Sequence, residues 1–311
     1  MIRILTVILA LALGGCSVMA SGKCFTKRTV LLPKRELVLA HMTNGQAGRE
    51  LAEAVLDGRI DDVTAMITRD KRLVTSEVTY DKSKSSERPD YQYGDLLTLA
   101  VSRCDLAMEK RLLDLGVPVN GVQIGDALIL ALLADTPEMA ELLLQSGASP
   151  DPQKLGGENV MREITSFGQV GGVMMLLRHG LDVHWEDEFG DDHLQTAVAM
   201  EQYRITELLI AKGANPWRIG SGGAMAVQYF ARPLILENSV ENEARVRLAE
   251  KYAAEAKTKG FSWPPPDFKT VRKMVLQGKW PTPEMLKAGV PPVSAITMAD
   301  MRKRFSADTV Q

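Results

Sequence analysis

Long apolar runs are almost missing from this chain: one, at the N-terminus, stands against 311 residues of mixed composition, which excludes a polytopic membrane protein. Cysteine is scarce too, with three in all, so a small disulfide-stapled scaffold is excluded. Charge of one sign is lacking, since 37 basic residues face 39 acidic ones and leave a formal net charge of -2. A dedicated nucleic-acid binder needs a basic excess to neutralise phosphates, and none is expected as a partner. Aromatic residues amount to only 5%, which makes the few tryptophans conspicuous. What is present, 45% hydrophobic and 24% charged residues, suits a globular chain of one or two units and excludes a disordered one.

Catalytic signatures are missing as well. The four histidines, His41, His179, His184 and His193, include no pair at the four-residue spacing of a helical metal site, and no Cys-x-x-Cys occurs. There is no Gly-x-Ser-x-Gly and no phosphate-binding loop; Gly168 to Gly172 lack a strand before them and a lysine after them. The chain therefore reads as a non-enzyme with no cofactor and no metal.

The apolar run itself is informative. Met1 to Leu13 carry one charge, Arg3, ahead of a stretch of signal-peptide length, too short to span a bilayer. It ends in Leu13-Gly14-Gly15-Cys16, which resembles a bacterial lipobox. The resemblance implies a signal over residues 1–15, acylation of Cys16 and a lipidated tether over residues 16–47. Ser17, where inner-membrane lipoproteins carry Asp, implies sorting to the outer membrane, with the body facing the periplasm. The alternative is an ordinary secretory signal cut near Ala20, leaving a soluble protein. Several acyl chains on one residue hold a protein at a membrane without any spanning segment. The oxidising periplasm allows one disulfide between the two remaining cysteines, Cys24 and Cys104. A plainer account of Cys104, which closes a helical apolar run, is a buried free thiol.

Between residues 48 and 223 the chain repeats. Apolar runs close on Gly116, Gly147, Gly180 and Gly213, at spacings of 31, 33 and 33. Sixteen residues before each stand Ala100, Ala131, Ile164 and Ala197, and each unit opens on a glycine followed by an acid: Gly94-Asp95, Gly125-Asp126, Gly157-Glu158, Gly190-Asp191. Residues such as Met139, Leu142, Leu143 and Ile205, Leu208, Leu209 recur at three- and four-residue spacing and predict one buried stripe per second helix. These marks resemble the ankyrin repeat, although its Thr-Pro-Leu-His signature is nowhere intact. The resemblance implies an all-α, ankyrin-like repeat solenoid of about five to six divergent repeats. An early, degenerate unit carries Leu51, Ala54 and Gly58, and a polar insertion follows Tyr80. Residues 224–311 are expected to form an atypical terminal repeat and a helical cap, frayed from Arg302 to Gln311.

Function then falls to the surface. Trp185, with Glu186, Asp187, Glu188, Asp191 and Asp192, and Trp217 lie in the turns that, in the family, line a protein-binding face. An aromatic ring in a polar turn is a typical interface anchor, unless it folds back onto its neighbour. Asp135 to Glu207 hold fourteen acids against four bases, and Glu243 to Arg304 hold thirteen bases against six acids. Such a dipole suits a cationic partner at one end and an anionic membrane at the other; the alternative is that the charges serve solubility alone. The whole resembles ankyrin-repeat lipoproteins that act as immunity proteins against type VI secretion effectors, including phospholipases. The resemblance implies a protein partner, a toxic effector, and membrane attachment through lipid alone; the rival is an envelope scaffold or assembly factor. Cys16→Ala is expected to leave precursor or soluble protein in place of a membrane form, which fractionation of the expressing cells checks.

Overall fold

A computed structural model of the protein describes residues 24–25, 34–78, 94–120, 126–134, 136–150, 160–233 and 239–305. Cys16 and its signal, the insertion after Tyr80, and Gly125, Gly157 and Glu158 lie outside the described residues. Among the described residues the chain is all-helical, with two isolated bridges, Met42 to Val78 and Glu77 to Asp95. None of these helices is long and apolar enough to cross a membrane.

After α1 (Arg35–His41) the helices come in pairs. They are α2 (Gly45–Leu56) with α3 (Ile60–Arg69), α4 (Leu96–Ser102) with α5 (Leu106–Asp114), and α6 (Asp126–Leu133) with α7 (Glu138–Gln145). Then come α8 (Val160–Ser166) with α9 (Val170–Arg178), α10 (His193–Ala199) with α11 (Tyr203–Ala211), and α12 (Ala226–Phe230) with α13 (Val240–Lys259). First helices pack in a row from α2 to α12, each against the next. Second helices stack outside them, α3 on α5, α5 on α7, α9 on α11 and α11 on α13.

Local chemistry explains where the helices start and stop. Asp95, the acid after the unit-opening glycine, caps α4: its carboxylate accepts the Thr98 N–H at 3.0 Å. Asp192 caps α10 in the same way, and Gln195 returns the bond to the Asp192 N–H at 2.8 Å. The four glycines that close the second helices take φ between 90° and 104°, a region that excludes most side chains. In the middle, Ala100, Ala131, Ile164 and Ala197 are buried, and every residue of α4 is buried. Small residues there let the inner helices approach closely.

The stack has two edges. Loops within pairs lie along one: a Cβ added to Gly58 would stand 3.4 Å from Asp105, and one on Gly168 would stand 3.0 Å from Gln202. Turns between pairs lie along the other, joined side to side where Asn120 accepts the Ser149 N–H at 2.9 Å and Asp191 accepts the Ser221 N–H at 2.7 Å.

Three expectations are corrected. Cys104 is not a free thiol but is bonded to Cys24, across 80 residues. Closing a loop of that length raises the free energy of the unfolded chain by about 4.5 kcal/mol through lost entropy. Leu142 and Leu208 are only half-buried, while Met139, Leu143, Ile205 and Leu209 carry the buried stripes. The C-terminus is helical through Phe305 in α16 (Ala295–Phe305), following α14 (Phe268–Leu276) and α15 (Pro283–Lys287). These three do not extend the row; α14 and α16 fold back over the 3-10 turn Ser221–Gly223.

Each pair is too thin to bury its own stripe, so stability is expected to rest on neighbour contacts. Leu143→Ala and Leu209→Ala should each cost about 2 to 5 kcal/mol through the cavity left behind, and Leu142→Ala distinctly less. Urea melts of the three variants check the assignment.

Candidate functional site

The turn between α9 and α10 carries most of the residues singled out in the sequence, and its backbone is shaped by its own acids. Asp182 accepts the His184 N–H at 2.9 Å. Asp187 accepts the N–H groups of Phe189 (2.8 Å) and Asp191 (2.9 Å), which closes a tight loop around Gly190. Partial burial pushes the Asp187 carboxyl upward in pKa, against those two bonds. Asp191 reaches the next turn, accepting the Ser221 N–H and hydroxyl at 2.7 and 2.6 Å.

Arg218 holds the two turns together. Its guanidinium meets Glu186 at 2.8 Å and donates to the Gly190 carbonyl at 2.9 Å, to Gln195 at 3.0 Å and to Asp192 at 3.4 Å. Asp192 itself is buried, and burial pushes its pKa up to about 6 while Arg218 opposes the shift. α16 closes the arrangement from above. The Thr297 hydroxyl donates to the Gly190 carbonyl at 3.3 Å, and a Cβ at position 190 would stand 2.1 Å from that hydroxyl. Only glycine fits there.

Several candidate anchors are therefore internal. Asp192 is a buried helix cap and not a surface charge, because its carboxylate satisfies the first turn of α10. Asp187 and Asp191 build the turn, and Glu186 is neutralised by Arg218. Trp217 is no surface anchor: it is 2% exposed, packs edge-on to Phe261 and donates its indole N–H to Glu255 at 3.2 Å. Trp185 is half-buried, its ring stacked on His193 at 4.9 Å between centroids.

What stays open on this turn is Asp182, His184, Glu188, the outer part of Trp185 and Phe189, which is 45% exposed. Phe189 was missed in the sequence, though an aromatic between Glu188 and Gly190 was the available signal. A second open surface was missed as well. Leu106, Lys110, Pro137, Glu138, Leu142 and Met175 line a groove of about 430 Å³ on the outer face of α5, α7 and α9. Its signal was hidden because Leu142 fits the helical stripe equally well. Among the described residues no group of His, Cys, Asp and Glu has the geometry to hold a metal ion.

Among the described residues, two buried ionisable groups lie without hydrogen bonds. His193 is fully buried, both ring nitrogens are unpartnered, and burial drives its pKa down to about 4 against a weaker upward pull from Asp182. Glu109, buried on α5 with neither carboxylate oxygen bonded, is pushed up to about 8 by burial. For His193 the folded pKa lies below the ordinary one, so stability is lost as pH falls from about 6.5 to about 4. For Glu109 the folded pKa lies above the ordinary one, so stability is lost as pH rises from about 4.5 to about 8. His193→Phe should flatten the acid-side fall, and Glu109→Gln should gain on the wild type by about 3 kcal/mol near pH 7 and nothing at pH 4. Thermal melts of the two variants and the wild type from pH 4 to 8 read both limbs.

Comparison with protein-family models finds no match, and comparison with curated proteins finds none either.

Proposed function

We propose that this chain is a lipid-anchored protein-binding module of the outer membrane, built as an ankyrin-like solenoid and facing the periplasm. Its role is that of an immunity protein that inhibits a secreted antibacterial effector such as a phospholipase. The solenoid reading is supported by helix pairs stacked neighbour on neighbour and by the left-handed glycines that close α5, α7, α9, α11 and α13. The disulfide between Cys24 and Cys104 suits an oxidising compartment. The Leu13-Gly14-Gly15-Cys16 pattern supplies the anchor.

One observation carries the binding role: Phe189, 45% exposed with the Arg304 guanidinium 5.7 Å from its ring centre, and the half-buried Trp185 stand on one turn with the exposed acids Asp182 and Glu188. Apolar rings held in place by structure lose little entropy on binding, and surrounding charge steers the encounter. The partner surface accordingly presents cationic groups around an apolar depression. An inhibitor already fixed at the membrane meets a lipid-attacking enzyme where that enzyme works.

Capture of periplasmic proteins by the membrane-tethered chain is expected to yield an enzyme whose lipid-cleaving activity falls as the chain is added. Recovery of envelope assembly proteins alone, with no enzyme inhibited, would refute the immunity role. Trp185→Ala also removes the cover of His193, so Phe189→Ala is the cleaner probe. It should weaken the complex by about 1 to 2 kcal/mol, mainly through faster dissociation, while Glu188→Lys should slow association most at low salt. Rate measurements at two ionic strengths check both.

A further inference from the structure

The disulfide lies at an unusual place for a bond that merely staples a fold. Cys24 and Phe25 are buried against the helical body, and the Cys24 N–H donates to the Cys104 sulfur at 2.9 Å. Cys104 sits in the loop between α4 and α5, on the edge of the stack that carries the loops within pairs. Its partner is only eight residues from Cys16 along the chain. We infer that the Cys24–Cys104 bond is the point where the membrane tether enters the fold, and that it sets how far the body stands from the bilayer and which edge faces it. The inference rests on acylation of Cys16.

Chain length supplies the magnitude. Eight residues span at most about 27 Å when fully extended. Without the bond, the next described part of the chain tied to the body by ion pairs is α1, whose Arg35 meets Glu53 at 2.8 Å and Asp57 at 2.7 Å. That lies nineteen residues from Cys16, a reach of about 65 Å. Phe25 adds only a non-covalent hold. The bond therefore limits the covalent reach of the tether to about 27 Å and draws the α4–α5 loop toward the lipid. The turns between pairs lie at the other ends of the helices, so the turn bearing Trp185 and Phe189 points into the aqueous compartment.

The test uses the full-length chain in isolated membranes, with a sequence-specific protease site in flexible flanks inserted between Arg28 and Thr29. Completeness of cleavage is read on a reducing gel. After cutting, the body should remain with the membranes, because the acylated fragment is still bonded to Cys104, and it should leave when tris(2-carboxyethyl)phosphine is added. With Cys24→Ser and Cys104→Ser together, cutting alone should release it. A body that leaves the wild-type membranes on cutting without reductant overturns the inference, and so does one that stays after reduction. A dye carried at Arg103 should be quenched by headgroup-labelled lipid more strongly than one at Glu188, with the difference shrinking after reduction; equal quenching before reduction overturns the assigned orientation. Uncut Cys16→Ala separates the two levels. If that variant still sediments with membranes, the anchor reading itself falls, whereas its release together with loss of the cut wild-type body overturns only the role of the disulfide.

Discussion

No pair of helices in this protein can bury its own apolar face, and nearly everything else follows from that limit. α4 is buried along its whole length because α2, α5 and α6 close on it from different sides, and the fully buried Leu143 and Leu209 hold the outer helices to the row. Close approach of the inner helices in turn requires small residues, which is why Ala100, Ala131 and Ala197 occupy equivalent places. A row built this way has two ends that must be finished by something else. α1, packed on α2, does so at one end, and the long helix α13 with the folded-back α14 and α16 does so at the other.

Finishing the second end has shaped the turns. Because α16 returns to the turn before α10, the Gly190 carbonyl accepts from both Arg218 and Thr297. A cation such as Arg218, largely enclosed, is tolerated only when its hydrogen bonds are met, and Glu186, Asp192, Gln195 and Gly190 meet them. The acidity of this segment is thus spent mostly on architecture. The remainder, Asp182 and Glu188 beside two partly open rings, is small but rigidly held, which favours recognition over flexible capture.

Polar groups buried without partners mark where this packing exacts a cost. His193 stands where the first turn of α10 meets Trp185, and Glu109 lies on the inner side of α5 between Met108 and Leu112. Each is kept in its neutral form by burial, so both ring nitrogens and both carboxylate oxygens forgo hydrogen bonds that water would supply. Their titration windows run in opposite directions and overlap, so no pH is free of both costs, and the summed cost is least between about pH 4.5 and 6.5.

The sequence by itself determined the helical class, the spacing of the closing glycines and the places where they stop their helices. These are local matters: an acid at a cap, a glycine at a left-handed stop, and apolar residues three and four apart act within one turn of their own helix. Tertiary structure decided which side of each stripe is covered. Leu142 and Leu143 follow the same spacing, yet only the neighbouring helices leave one in an open groove and the other in the core. It also decided the fate of Trp217 and Asp192, whose burial depends on Glu255 and Phe261 in one case and on Arg218 in the other. The pairing of Cys24 with Cys104 and the return of Thr297 to Gly190, across 80 and 107 residues, bear no local signature. Contacts at that separation are selected by how the whole stack closes, and no window of sequence contains both partners.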